Sequence, residues 1–485
     1  MSIASVMSVL GWTVSLFAAA MAVPALLAFG YEENTLGLTF LGTAGLTLFA
    51  GGALIIATRG AVPTRTKTGT FLIAGLTFVV LAFFGALPFY LSGVAPSATD
   101  AYFEAMSGLT TGGATIFYSV ENLPRSILLW RAELQWIGGL AAILLTVTIL
   151  SFGAVGGMNL FVSAIPVGGV DSLPSRLRET ALSISWVYAL LTLAAAAALL
   201  VAGMPAFDAL AHALSTLSTG GFSTRDAGIA AFSDPWIESV LIVFMIVGAL
   251  NFTLHGALFH GRTAPHRRDN ESRYLLAIAG IGALLCGGAL WALHETGLWD
   301  SVRIGVFSAV SALTTTGYSV VSGAESRSWP TMIPVVLMGL MLIGGAAGST
   351  AGGIKLMRII VFVKLAAREL LRLAHPHGVV RLRYAGRAID EDTLRAIWGF
   401  LTIFITGFVL IALALGLLGF DFRDALSAAA VTLTNTGAAW PLIGGGESFA
   451  ESPVAAKWVL ALSMVIGRLE LVSVLVLLSP AFWRY

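Results

Sequence analysis

Apolar residues run in long stretches along this chain, separated by short polar loops, with little of the period-two alternation that marks a half-buried strand. Ten stretches, at 9–29, 37–57, 71–92, 130–151, 181–203, 236–258, 275–297, 330–362, 394–417 and 455–479, are long enough to read as membrane helices. Crossing a hydrocarbon core takes about twenty helical residues. The last eight form four pairs, and each pair encloses a shorter apolar segment, at 98–109, 206–217, 301–313 and 422–433. A dozen helical residues rise only about 18 Å, so these segments do not span. Each must enter and leave on the same side, and re-entrant backbone survives at membrane depth only where protein or water covers it. The pattern predicts an all-α polytopic membrane protein with four helix–pore-loop–helix units around a central pore. Two extra transmembrane helices precede them in 1–58. The units occupy 71–151, 181–258, 275–365 (second helix broken) and 392–485, with a basic loop at 366–391.

Composition agrees. Of 485 residues, 57% are hydrophobic and 11% charged, whereas about a quarter of a soluble domain is charged. A net charge of +1 makes no case for nucleic-acid binding, and the single Cys286 excludes a disulfide framework or a thiol metal site. Nothing basic precedes the first apolar run, which is longer than the about 7–15 residues of a signal-peptide core, so it reads as a retained helix. Basic residues gather in alternate loops: Arg59, Arg65 and Lys67; Arg176 and Arg178; Arg262, Arg267, Arg268 and Arg273; and Lys364, Arg368, Arg372, Arg381, Arg383 and Arg387. The other loops carry acids, such as Glu32, Glu33, Asp234, Glu238, Glu447 and Glu451. The positive-inside rule therefore puts both chain ends in the cytoplasm. The Lys364–Arg387 stretch is also a candidate docking surface for a cytoplasmic partner.

Each short segment ends in a similar phrase. These are Leu109-Thr110-Thr111-Gly112-Gly113, Leu217-Ser218-Thr219-Gly220-Gly221, Leu313-Thr314-Thr315-Thr316-Gly317 and Leu433-Thr434-Asn435-Thr436-Gly437. The leucines lie 108, 96 and 120 residues apart (217−109, 313−217, 433−313), room each time for one unit. An acid opens each segment, Asp100, Asp208, Asp300 or Asp424, where it suits the positive end of a helix dipole. Gly and Thr end helices readily. An extended Thr-Thr-Gly stretch can turn its carbonyl oxygens to a common axis, and Gly leaves no side chain in the way. Four such stretches make rings of carbonyl oxygens that replace a cation's hydration shell, and the helix C-termini add negative dipole ends. One copy alone would read as small-residue helix packing; four copies in equivalent places favour a shared pore.

At these phrases the chain resembles the Trk/Ktr/HKT superfamily of potassium transporters, over nearly its whole length. The resemblance is also carried by Gln135-Trp136-Ile137-Gly138-Gly139, Ser218-Thr219-Gly220-Gly221-Phe222-Ser223, the run from Gly344 to Lys355, Gly467-Arg468-Leu469-Glu470 and the terminal Pro480-Ala481-Phe482-Trp483-Arg484. The two additional N-terminal helices favour the Trk branch over the shorter Ktr branch. The resemblance implies potassium as the transported ligand. It would be bound at Thr110, Thr111, Gly112 and Gly113; Ser218, Thr219, Gly220 and Gly221; Thr314, Thr315, Thr316 and Gly317; and Thr434, Asn435, Thr436 and Gly437. It further implies a homodimer in a bacterial inner membrane, working with a cytoplasmic nucleotide-binding regulatory subunit of the TrkA type, and no cofactor in this chain. No G-x-G-x-x-G follows a strand here, so nucleotide sensing belongs to a separate subunit. Gly348–Ile354 imitates a phosphate-binding loop but places Ile354 where the lysine belongs. Gly112 departs from the family's usual third threonine, which bears on filter rigidity and on how sharply potassium is preferred over sodium.

Gly344, Gly345, Gly348, Ser349, Thr350, Gly352 and Gly353 fall inside the second long helix of unit three. Each Gly there disfavours helix by about 1 kcal/mol relative to Ala, so the helix is expected to break, with G-x-x-x-G packing as the alternative. The resemblance implies an intramembrane loop that crosses the pore below the filter and gates it. Arg468 lies deep in the last helix, where charge is expensive and usually functional, and Glu470, two residues on, does not share its helical face. The resemblance makes Arg468 an electrostatic barrier in the pore; a structural ion pair with another acid is the alternative. Glu104, Glu133 and His212 read as scaffold, and His212 has no second ligand at metal spacing. An intramembrane enzyme would need a nucleophile–base pair or a metal constellation, and neither is present in the spans. The expected function is channel-like potassium uptake, with sodium- or proton-coupled symport as the alternative.

Overall fold

In the structure, a computed structural model, residues 3–60, 67–151, 173–259, 269–294, 296–375, 381–384, 387–443, 445–446 and 448–469 are described. The predicted end of the last helix (470–479), Glu470, the terminal Pro480–Arg484 phrase, and Arg65, Arg262, Arg267, Arg268 and Glu447 lie outside these residues. Unit one comprises Lys67–Leu91, Ala98–Leu109 and Arg125–Ser151; unit two comprises Leu173–Val201, Ala206–Leu217 and then Pro235–Ala249 with Phe252–Phe259. Unit three has Asn270–Leu293, Leu298–Leu313 and then Met332–Ile343 with Leu356–Ala374; unit four has Glu391–Leu417, Phe422–Leu433 and Val454–Arg468. Ahead of them, Ile3–Ala20 and Ala22–Gly30 pack on Asn34–Ala57. Small residues permit that approach, since a Cβ at Gly51 would overlap Ser15 Oγ. A two-residue antiparallel strand pair, Arg383–Tyr384 with Arg387–Ala388, lies in the basic stretch.

Among the described residues, seven helices are long and apolar enough to cross a membrane alone, and an eighth span is the bent pair Pro235–Ala249 and Phe252–Phe259. Trp12, Leu16, Phe49, Trp186, Leu284 and Leu417 are each more than half exposed. Large apolar side chains on the outside suit a protein whose solvent is lipid.

Two of the four short helices start where side chains cap them, while those at Ala206 and Leu298 follow Pro205 and Gly297. Ser97 Oγ accepts from the Asp100 amide at 3.1 Å, and Asp421 accepts from the Asp424 amide at 2.7 Å. The third starts at Leu298, three residues ahead of the predicted 301. The acids at these helix starts do more than complement a dipole. Asp100 binds Lys457 of unit four at 2.6 Å, which closes the circle of units, and Asp208 binds Arg225 at 2.6 Å.

Two long helices break, although the sequence pattern predicts only one break. In unit three the helix stops at Ile343 and resumes at Leu356. In unit two the stretch predicted as continuous over 236–258 turns by 100° after Ala249. Its end leaves the Gly248 and Ala249 carbonyls without helical donors. The unit-three segment supplies them: Ala346 N–H donates to Ala249 O at 2.9 Å and Thr350 N–H to Gly248 O at 3.2 Å. Phe252 N–H returns a bond to Gly348 O at 3.1 Å. Each break satisfies backbone groups exposed by the other, as buried backbone requires.

Candidate functional site

The four Leu-Thr/Ser-Thr/Asn phrases are four copies of one helix C-cap. The first hydroxyl of each donates to the carbonyl four residues back: Thr110 to Met106, Ser218 to Leu214, Thr314 to Val310 and Thr434 to Ala430, all at 2.8 Å. The second residue is left-handed, at φ 55° for Thr111, 52° for Thr219, 56° for Thr315 and 56° for Asn435. The third amide reaches back five residues: Gly112 to Ser107 O at 2.7 Å, Gly220 to Ser215 O at 2.8 Å, Thr316 to Ser311 O at 3.0 Å and Thr436 to Val431 O at 2.7 Å. This is the Schellman pattern. The expected extended Thr-Thr-Gly stretch is thereby corrected, because the first two residues finish the helix and only the third leaves it. A β-branched residue in left-handed conformation is strained by about 1–3 kcal/mol. Asn435 occupies the one copy where the residue type tolerates that conformation.

Beyond the caps the phrases meet in a closed circle. Gly437 N–H donates to Gly112 O, joining units four and one. A side chain on Gly113 would overlap Gly220 O, and one on Gly221 would overlap Thr316 O. One on Gly317 would stand 3.0 Å from Ala439 N. Gly113, Gly221 and Gly317 have φ of 74°, 80° and 86°. Unit four departs here, since Gly437–Ala439 forms a tight helical turn and Ala439 N–H takes the Thr436 carbonyl at 2.9 Å. That turn puts the Ala438 methyl 2.9 Å from the Cβ positions of Gly113 and Gly221 and 3.1 Å from that of Gly317. The methyl therefore stands near the axis of the ring, facing an outer cavity of about 290 Å³ lined in part by Phe117, Phe222, Tyr318 and Trp440.

The broken stretch of unit three lies on the helix side of this ring. Gly352 N–H donates to Thr315 Oγ1 at 2.7 Å, Thr350 Oγ1 lies 3.3 Å from Thr219 Oγ1, and a Cβ at Gly352 would overlap Thr434 O. The single Thr350 Oγ1 hydrogen is also shared between Leu217 O and Gly248 O, at 3.0 and 2.9 Å. Gly344, Gly345, Gly348, Ser349 and Gly353 complete the turns of the segment, with Gly344, Gly348 and Gly353 at positive φ. Arg468 Nη1 donates to Thr350 O at 2.7 Å, while its Nε and Nη2 have no partner among the described residues. The ion-pair alternative for Arg468 thus finds no acid among them.

Glu104 accepts from Arg131 Nε at 2.7 Å, Thr115 Oγ1 at 3.1 Å and Ile116 N at 2.9 Å, bracing the chain beyond the first phrase. Arg131 therefore pairs with Glu104 and not with its sequence neighbour Glu133, whose Oε2 has no partner among the described residues. His212 bonds Asp208 O and Ser223 Oγ at 2.8 and 3.0 Å, and no group of three potential metal-ligating side chains occurs among the described residues. Sequence reasoning named Gln135 only within a phrase of the resemblance and assigned no role to it, nor to Ala438, Glu271 or Lys457. Glu271 accepts from Ala347 N at 2.9 Å and from Tyr384 Oη at 2.5 Å, linking the broken segment to the small strand pair. Only the recurrence of Gly138, Gly248 and Gly467 three residues after Gln135, Met245 and Met464 carried a signal for any of these.

Four re-entrant helix ends that meet in one ring, each set between long apolar helices, define a polytopic membrane protein built from a fourfold internal repeat. The chain belongs to the TrkH family of cation transport proteins, whose family model matches residues 39–278 and 295–485. It is 38% identical to the Trk system potassium uptake protein TrkH of Halomonas elongata, over 100% of both chains. It is 37% identical to that of Escherichia coli K12, over 98% of each. The crystal structure of the potassium transporter TrkH from Vibrio parahaemolyticus superposes with a TM-score of 0.90 at 36% identity, covering 100% of both chains. The fold is thus the predicted all-α polytopic one, and the chain is a membrane transport protein, not an enzyme.

Proposed function

We propose that this protein takes potassium ions into the cell through the ring formed by the four phrases, in the manner of a gated channel. The observation that carries this reading is the closure of the ring from four equivalent helix caps in a chain whose relatives are named potassium uptake proteins. Backbone oxygens around the axis suit a partly dehydrated cation, and the inward-directed helix C-termini favour positive charge. A monovalent cation gains about 2.3 kcal/mol per 100 mV on entry, enough for the membrane potential to drive accumulation. The protein lies in the bacterial inner membrane with both termini in the cytoplasm. It works as a homodimer with a nucleotide-binding regulatory subunit of the TrkA type, for which the Lys364–Arg387 stretch offers a basic surface. The 344–353 segment is the gate and Arg468 the electrostatic barrier beside it.

Reversal potentials in proteoliposomes under opposed potassium and sodium gradients test the reading. A potential that tracks potassium alone is expected; one that depends on sodium or proton gradients would establish symport instead. Gly317→Ser, which adds a side chain at a positive-φ ring position, is expected to abolish or strongly reduce potassium uptake. Unchanged uptake would remove the filter assignment.

A further inference from the structure

The second long helices of the four units share a short repeat that ends on a packing glycine. It reads Gln135-Trp136-Ile137-Gly138, Met245-Ile246-Val247-Gly248, Met341-Leu342-Ile343-Gly344 and Met464-Val465-Ile466-Gly467. A Cβ at Gly138 or Gly467 would overlap the last carbonyl of its own short helix, Leu109 O or Leu433 O, and one at Gly248 would stand 3.1 Å from Leu217 O. The glycines of units one, two and four thus set equivalent registers, whereas Gly344 of unit three ends its helix at positive φ against Gly352 O; the residue three before the glycine is fully buried in every unit. Three of the four are methionine. Unit one alone places an amide there, and a buried amide is costly unless bonded.

Gln135 is bonded at both its amide nitrogen and its amide oxygen, and to the ring phrase of the neighbouring unit. Its Nε2 donates to Gly220 O at 2.7 Å; its Oε1 accepts from Phe222 N at 3.2 Å and from Ser215 Oγ at 2.6 Å. The amide is therefore oriented by chemistry, because a carbonyl accepts and a backbone N–H donates. In units three and four the third ring residue is threonine, and its hydroxyl contacts that of the first, Thr316 with Thr314 and Thr436 with Thr434, each at 2.9 Å. In unit two that position is Gly220, and a Cβ there would run into the Gln135 amide. Gln135 occupies the space that a threonine side chain fills elsewhere.

From this we infer that Gln135 is a specificity-determining positioning residue, which holds the second ring phrase in register from behind in place of the missing threonine hydroxyl. The inference rests on the reading of the ring as the ion filter. Its substance is an exchange: unit two trades a side chain within the phrase for one from the adjacent unit, so Gln135 and Gly220 work only as a pair. The Gly220 carbonyl, pulled toward Nε2, has its direction set by that bond, and the ion-facing geometry of the ring depends on that direction.

Reversal potentials of the purified full chain in proteoliposomes, under opposed potassium and sodium gradients, report a permeability ratio that does not depend on how much protein is active. Gln135→Ala removes the bond to Gly220 O and both acceptor contacts, and is expected to lower the potassium-to-sodium ratio by at least roughly two- to ten-fold, the range spanned by a single lost hydrogen bond. Gln135→Met places there the residue of the other three units, which fills the space but has no hydrogen to donate to Gly220 O; it is expected to show a similar fall and serves if the alanine variant does not fold. Gly220→Thr alone is expected to abolish current, and the double variant Q135A/G220T to conduct again with a ratio above that of Q135A. A merely structural role would leave the ratio the same in every variant that conducts. Gly317→Ser, run alongside, tests the filter reading by itself. If it shifts the ratio or abolishes current while Q135A and Q135M leave the ratio unchanged, the positioning role is overturned and the filter reading stands. If Gly317→Ser also changes nothing, the filter reading falls with it.

Discussion

Arg468 donates from Nη1 to the carbonyl oxygen of Thr350 at 2.7 Å, so the last described helix is tied directly to the broken segment of unit three. Thr350 in turn is held from unit two through Leu217 O and Gly248 O. One cation thereby joins three of the four units on the helix side of the ring, with two of its nitrogens left without partners among the described residues.

Replacing Arg468 by alanine removes both the charge and the tie to Thr350. Basal potassium flux in proteoliposomes, without any regulatory subunit, is expected to rise several-fold. Arg468→Lys keeps the charge but loses the planar fork, and an intermediate flux is expected. A fall in flux in folded R468A protein would mean that the contact supports the open state.

The Ala438 methyl stands about equally close to Gly113, Gly221 and Gly317. Ala438→Gly is expected to increase rubidium uptake, and Ala438→Val to reduce it severely, since added methyl groups narrow the passage between Gly113, Gly221 and Gly317. Equal uptake by all three proteins would show that the unit-four turn moves away from the axis during conduction.

Gly112 is the third ring residue of unit one, and it has neither a threonine hydroxyl nor an amide behind it. A Cβ there would lie 3.4 Å from both Ser107 Oγ and Thr110 Oγ1, an ordinary contact, and Ser107 Oγ is a buried hydroxyl with no partner among the described residues. Gly112→Thr is expected to fold normally and to raise the potassium-to-sodium ratio about two- to ten-fold through one added hydrogen bond. An unchanged reversal potential would show that unit one is already rigid.

Lys457 and Asp100 form a buried pair across the seam between units four and one. Lys457→Met leaves the carboxylate buried and uncompensated, which costs about 3–5 kcal/mol. The unfolding midpoint in detergent is expected to fall clearly. The neutral double variant D100N/K457M should recover most of that loss, and a double variant as unstable as the single one would refute the ion-pair account.

The repeat itself was legible in the sequence. Leu109, Leu217, Leu313 and Leu433 end four short helices as expected, because a Gly- and hydroxyl-rich phrase after a dozen apolar residues can hardly continue a helix. The unit-three break was legible as well, from the glycines between Gly344 and Gly353. The bend after Ala249 was not: Gly248 alone does not end a helix, and the segment turns because the loop from unit three supplies donors to Gly248 O and Ala249 O. The left-handed second residues were also hidden, since threonine ordinarily avoids that conformation.

Local patterning thus determined what depends on residues close in the chain: the apolar lengths, the four caps, the acids at the helix starts and one broken helix. Tertiary structure decided what depends on residues 85 or more positions apart. It sent Asp100 to Lys457, Arg468 to Thr350 and Gln135 to Gly220, and it brought the Ala438 methyl to the axis. Buried polar groups in a low-dielectric interior must find partners, and which partner lies within reach is a property of the packed units, not of any stretch of sequence.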